Sequence, residues 1–159
     1  MTRILFVCHG NICRSPMAEI ILRDMTERAG LADRVCISSC ATSSEEIWNG
    51  VGNPVYPPAR AELARHGLSC GNKRAVQLQR SDRDRYDLFI GMDRRNLREM
   101  RRILGPGAEE RIEPLLERDV ADPWYTGDFA TAYRDIHRGC EQLMARLLAR
   151  EGGGQGAKR

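Results

Sequence analysis

The sequence predicts an α/β fold in three layers, a four-stranded parallel sheet with helices on both faces. Three observations carry that expectation. Short apolar segments alternate with helical ones along the chain, the order that parallel strands joined by crossover helices require. The first of them, Arg3-Ile4-Leu5-Phe6-Val7-Cys8, is a continuous apolar run without alternation, as in a strand buried on both faces. Glycine and proline punctuate the helical segments, at Gly67 and at Gly105-Pro106.

Taken in order, residues 3–8 form the first strand. Pro16 fits the first turn of the helix that follows, and Met17-Ala18-Glu19-Ile20-Ile21-Leu22 extends it with apolar residues on one stripe. Residues 35–39 read as a second strand, and residues 41–57, rich in Ser, Gly, Asn and Pro, as a loop. A helix over 59–66 ends at Gly67. Residues 86–91 are the third strand, 93–104 a helix, and 111–116 a weaker fourth strand. A long helix spans 128–150, with Phe129, Ala132, Tyr133, Ile136, Cys140, Leu143 and Leu147 on one face. Residues 1–150 read as one domain, and the glycine-rich residues 151–159 as a flexible tail.

A chain of 159 residues buries a core without help from disulfides or structural metal. A net charge of +3 is too small to argue for nucleic acid or a membrane as partner. The run Ile4-Leu5-Phe6-Val7 is too short for a signal peptide or a membrane span, so a cytoplasmic location is expected. There the cysteines at 8, 13, 36, 40, 70 and 140 stay reduced. Zinc is a poor reading, since the step from Cys36 to Cys40 has no second close pair and no histidine near it. Neither a metal nor a cofactor is expected.

In folds of this class ligands bind at the carboxyl ends of the strands, which directs attention to Cys8-His9-Gly10-Asn11-Ile12-Cys13-Arg14-Ser15. Gly10 and Asn11 tolerate positive φ, so that successive backbone N–H groups can turn inward as an anion nest. The helix beginning near Arg14 points its positive end at that nest. Arg14 adds a planar fork for two phosphate oxygens. Cys8 at the rim of such a phosphate loop is expected as a thiolate, with Ser15 in reach to donate to its sulfur. A cysteine followed six residues later by arginine is weak evidence in a chain with six cysteines. The preceding strand, the Gly-Asn inside, the serine after the arginine and the following helix make it specific. GxxxxGK[ST] and GxGxxG loops are absent.

A thiolate attacking phosphorus expels an alkoxide or phenoxide, which needs a proton donor. Asp122-Pro123-Trp124-Tyr125 is the best candidate: it follows the last strand, Pro123 stiffens it, and its aromatics can wall a flat substrate. Asp119 is the nearest competitor.

These segments resemble the low-molecular-weight protein tyrosine phosphatase family. The resemblance rests on residues 7–19, Trp48, Tyr86-Asp87, Met92-Asp93, Asn96-Leu97, Asp122-Pro123-Trp124-Tyr125 and Gly127-Asp128-Phe129, in family order. It implies a phosphocysteine intermediate on Cys8, phosphate binding by Arg14 and the loop amides of Gly10 to Cys13, and Asp122 as acid and then base. It implies that Asn11 holds the loop in shape, that Ser15 assists the thiolate, and that His9, Ile12, Trp48, Asn49, Trp124 and Tyr125 line the substrate cleft. It further implies a reversible disulfide between Cys13 and Cys8. Phosphotyrosine-containing proteins, and a cognate tyrosine kinase, are the partners it suggests. The sequence departs from the family pattern at Ala41, where a glycine is usual, at Pro57, and before the third strand, where Asn72 or Lys73 replaces a histidine.

Two activities of the same fold compete. Arsenate reduction needs a relay of further cysteines, typically a close pair before the third helix, and here Cys70 stands alone. Phosphoarginine phosphatases tend to carry threonine where this chain has Ile12. The arginines at 94, 95, 98, 101 and 102 read as a solvated helix face.

Overall fold

The computed structural model describes residues 1–157, with side chains through Glu151. Strand β1 (Thr2–Cys8) leads into helix α1 (Arg14–Arg28), and β2 (Val35–Ala41) follows. A hairpin of β3 (Ile47–Trp48) and β4 (Val51–Gly52) precedes α2 (Pro57–Arg65). Then come β5 (Leu88–Gly91), α3 (Arg94–Leu104), β6 (Ile112–Pro114), the short α4 (Pro123–Thr126) and α5 (Phe129–Ala157).

The main sheet has four strands in the order β2-β1-β5-β6, every pair parallel. That is the three-layer α/β architecture expected. β1 alternates its side chains between two cores. Ile4, Phe6 and Cys8 face a core shared with α1, α2 and α5, and Leu5 and Val7 face a smaller one with Leu97, Met100 and Leu104 of α3. Each core removes apolar area from water at about 25 cal/mol per Å2, the main force holding the helices on the sheet. The chain leaves β1 toward β2 on one side and later returns to β5 on the other. The direction of winding therefore reverses between β1 and β5, and a crevice opens at their carboxyl ends.

Four of the departures from the expected boundaries have a clear local cause. The segment 41–57 is not all loop, because Asn49 (φ 50°) and Gly50 (φ 76°) make the two-residue turn with positive φ that matches strand twist in a hairpin. α2 begins at Pro57 rather than 59, both prolines occupying a first turn whose N–H groups need no partner. β5 begins at Leu88, because the Asp87 carboxylate is taken by the backbone N–H and guanidinium of Arg3. α5 runs past residue 150: Glu151 pairs with Arg34, and the backbone continues helical to Ala157. Of the tail expected over 151–159, residues 158–159 lie outside the described residues.

Candidate active site

Cys8 ends β1 in the crevice and points toward α1, being 3% exposed. Ser15 Oγ lies 2.9 Å from its sulfur, and the Asn11 N–H donates to it at 3.3 Å. Either atom of the Ser15–Cys8 pair can be the donor, and against a thiolate, which has no hydrogen, the hydroxyl donates. Asn11 is the loop residue with positive φ, at 60°, and Gly10 does not share that conformation. Gly10 matters for space instead: a Cβ there would meet Glu46 Cγ at 3.3 Å.

The Asn11 amide uses both ends. Its Nδ2 donates to Ser15 Oγ at 2.8 Å and Ser39 Oγ at 3.0 Å, and its Oδ1 accepts the N–H of Val76 at 3.0 Å. Ser39 in turn donates to Glu19 Oε1 at 2.6 Å. Lys73 closes the support, donating to the Ser39 carbonyl at 2.9 Å and standing 3.7 Å from Glu19. Of the two residues offered for the usual histidine, Lys73 is the one in contact. Burial lowers its pKa, and the neighbouring Glu19 carboxylate opposes that effect.

The backbone N–H groups of Gly10, Ile12, Cys13 and Arg14 meet no acceptor among the described residues, and they are available to an anion. Arg14, 2% exposed, donates to Asp93 Oδ2 at 2.7 Å and the Val120 carbonyl at 2.9 Å, and reaches Asp122 Oδ2 at 3.3 Å. Burial works against its charge, but Cys8, Asp122 and Asp93 outweigh that and raise its pKa. Asp93 and Asp122 also cap α3 and α4, accepting the N–H of Asn96 and of Trp124. Asp119 accepts the N–H of Arg94 and lies outside the cavity wall, so geometry separates it from Asp122.

One cavity is lined by residues 8–14 together with Glu45, Glu46, Asp122, Trp124 and Tyr125. The structure thus brings together Cys8, His9, Gly10, Asn11, Ile12, Cys13, Arg14, Asp122, Trp124 and Tyr125. Ser15 sits behind the sulfur, and Trp48 and Asn49 stand on the hairpin away from the wall. Sequence reasoning missed Glu45 and Glu46, which have no fixed spacing to the loop, and Asp93, whose capping position was legible but whose reach to Arg14 was not. Cys13 shares the cavity with Cys8, and burial, reinforced by Cys8, pushes its thiol well above the ordinary range. Cys40, Cys70 and Cys140 are buried and Cys36 is exposed, all outside the cavity. Among the described residues no cluster of His, Cys, Asp and Glu has the shape of a metal site, and no helix is long and apolar enough to cross a membrane.

A buried sulfur, a guanidinium and a carboxylate thus meet at the switch point of a parallel sheet, the place where α/β proteins of this class bind their ligands. The sequence model of the low molecular weight phosphotyrosine protein phosphatases matches residues 3–152, and the chain belongs to that family. It is 38% identical over 154 residues to the low molecular weight protein-tyrosine-phosphatase YfkJ of Bacillus subtilis, covering 92% of this chain and 96% of that one. It is 35% identical to low molecular weight phosphotyrosine protein phosphatase 1 of Drosophila melanogaster, covering 92% and 97%. The crystal structure of YfkJ superposes with a TM-score of 0.88 over 94% of this chain and 96% of that one, at 36% identity. That of SP-PTP from Streptococcus pyogenes gives 0.84 over 92% and 93%, at 33% identity.

Proposed function

We propose that the protein hydrolyses phosphotyrosine through a phosphocysteine intermediate on Cys8. The observation that carries this reading is the convergence on one sulfur of the Ser15 hydroxyl and the Asn11 N–H, in a cavity that also holds Arg14 and Asp122. The Cys8 thiolate attacks phosphorus in line with the ester oxygen. Arg14 and the N–H groups of Gly10, Ile12 and Cys13 hold the equatorial oxygens, where charge spreads in the transition state. Protonated Asp122 gives its proton to the departing phenoxide. In the second step Asp122 takes a proton from water, which displaces phosphate and frees the thiolate. His9 and Ile12 line the cavity beside Trp124 and Tyr125, and their flat and apolar surfaces suit an aryl ester. The residues that act are all protein groups, so hydrolysis is expected without metal or cofactor. Phosphotyrosine-containing proteins are the substrates we infer, with a cognate tyrosine kinase as a partner and the cytoplasm as the location.

Cys8→Ser is expected to abolish turnover of an aryl phosphate, vanadate to block it, and a chelator to leave it intact. Asp122→Ala should slow poor leaving groups far more than good ones. Equal slowing of both removes Asp122 from the acid role. Phosphoarginine and arsenate belong in the same assay, and preference for either overturns the phosphotyrosine assignment. Cys13 is the cavity's second thiol. Peroxide oxidises Cys8 to the sulfenic acid, and attack by Cys13 releases water and forms a disulfide that a dithiol reduces. After enough peroxide to carry an untrapped sulfenic acid on to the sulfinic acid, recovery of activity by dithiothreitol in the wild type but not in Cys13→Ser is the expected sign. Equal recovery in both removes Cys13 from that role.

A further inference from the structure

The charges around the mouth of the cavity are one-sided. Among the described residues Arg14 is its one permanent cation, and it lies at the base of the cavity, 2% exposed, against Asp93 and Asp122. Outward from it the wall offers Glu45 and Glu46, with no lysine or further arginine among the described residues. This runs against the whole chain, in which Lys and Arg outnumber Asp and Glu by 25 to 22.

The two glutamates are held in place. Thr42 N–H donates to the Cys8 carbonyl at 2.9 Å, and both the N–H and the hydroxyl of Ser43 donate to the His9 carbonyl, at 3.1 and 2.9 Å. The Asn53 N–H donates to the Glu46 carbonyl at 2.8 Å, which ties the far end of the segment to β4's exit. The backbone carrying the carboxylates is therefore fastened to the loop that holds Cys8. Their side chains are placed as well. Glu46 lies against Gly10 and accepts from Asn53 Nδ2 at 3.1 Å, and Glu45 meets His9 Nε2 at 2.9 Å. Neither has Lys or Arg as partner among the described residues, so no permanent cation cancels their charge.

We propose that Glu45 and Glu46 make the enzyme select phosphotyrosyl segments with a lysine or arginine beside the phosphotyrosine. The proposal rests on the phosphotyrosine reading of this same cavity and adds the chemistry of the flanking residues. A phosphate group seated on Arg14 and the loop amides brings the flanking residues of its chain over the cavity mouth, where the two carboxylates stand. A cation there gains two carboxylate partners carried on a fastened backbone, whereas an aspartate or glutamate meets like charge. Exposed ion pairs are individually weak, and two of them acting together correspond to a preference of roughly three- to twentyfold in kcat/KM. Screening by salt shrinks such a preference.

The test compares two phosphotyrosyl peptides that differ only in flanking lysines against flanking glutamates. The wild type is expected to favour the lysine peptide, and the ratio to fall toward one in molar sodium chloride. E45Q/E46Q is expected to bring the ratio toward one at low salt, and E45K/E46K to invert it. Each enzyme serves as its own reference, because only the ratio is read. The wild-type ratio and its salt dependence need no variant, so a variant that fails to fold leaves the proposal open to refutation. Equal turnover of the two peptides by the wild type, a preference for the acidic one, or a ratio that survives in E45Q/E46Q overturns the proposal. Failure to hydrolyse either peptide overturns the phosphotyrosine reading itself, a result distinct from equal turnover of both.

Discussion

Asn11 sits at φ 60°, a conformation that few side chains other than asparagine and aspartate tolerate, and its buried amide holds three partners at once. Alanine would keep the strain and lose the partners, leaving Ser15, Ser39 and the Val76 N–H short of a bond. Asn11→Ala is expected to cost about 2–4 kcal/mol of stability, read from the denaturant midpoint at unchanged slope. Turnover should fall as well, because Ser15 is then free to leave the sulfur. A change below 0.5 kcal/mol would mean that the loop keeps its shape without this side chain. Much at this scale was legible in the sequence. Asparagine after glycine marked the special backbone position, and cysteine and arginine six residues apart marked the cradle. The support behind the loop was not, because Ser39, Glu19 and Lys73 lie far apart in the chain. Only folding shows that Lys73, rather than Asn72, reaches the Ser39 carbonyl. The altered residue at 41 proves undemanding: Ala41 ends β2, wholly buried beside Cys8 in register, where a strand accepts a methyl group.

At the scale of elements, periodicity located every strand of the main sheet and its chief helices, because a buried strand and an amphipathic helix leave different patterns. It failed over 41–57, where the hairpin strands have two residues each and no period to detect. The Asn49-Gly50 pair was the available signal. Periodicity was also silent on what fills the space between elements. Gly139 lies inside α5, where glycine costs about 1 kcal/mol relative to alanine. Its hydrogen faces Leu115, just past β6, and a Cβ there would come within 2.4 Å of Leu115 Cγ. Propensity and packing thus pull in opposite directions. Leu115 is buried in the larger core, so its displacement costs about 1–3 kcal/mol by the usual penalty for overpacking. Gly139→Ala is expected to lower the melting temperature despite the better helix former. A raised melting temperature would mean that Leu115 repacks freely.

For the molecule as a whole, the crevice between β1 and β5 is both the place where the fold can bind an anion and the place where its halves meet. Arg14, at the start of α1, holds Asp93 at the cap of α3, the Val120 carbonyl, and Asp122 at the cap of α4. One buried side chain therefore joins the first strand–helix unit to the later ones, and binding at the crevice is coupled to the stability of the fold. An oxyanion that binds the native state alone stabilises it by RT ln(1 + [L]/Kd), about 2.7 kcal/mol at a hundredfold excess over Kd. For a chain of this size that corresponds to a rise of roughly 5–10 °C in Tm. Phosphate should produce this rise in the wild type and equally in Cys8→Ser, which keeps Arg14 and the loop amides. Arg14→Met should melt lower by itself, since removing one member of a buried ion pair costs about 3 kcal/mol. It should also show no rise with phosphate while still unfolding in one cooperative step. The two effects separate the roles of Arg14. The lower baseline reports the link between the halves, and the lost response reports the anion site. A full phosphate response in Arg14→Met would place the anion elsewhere and leave Arg14 as a structural cross-link only.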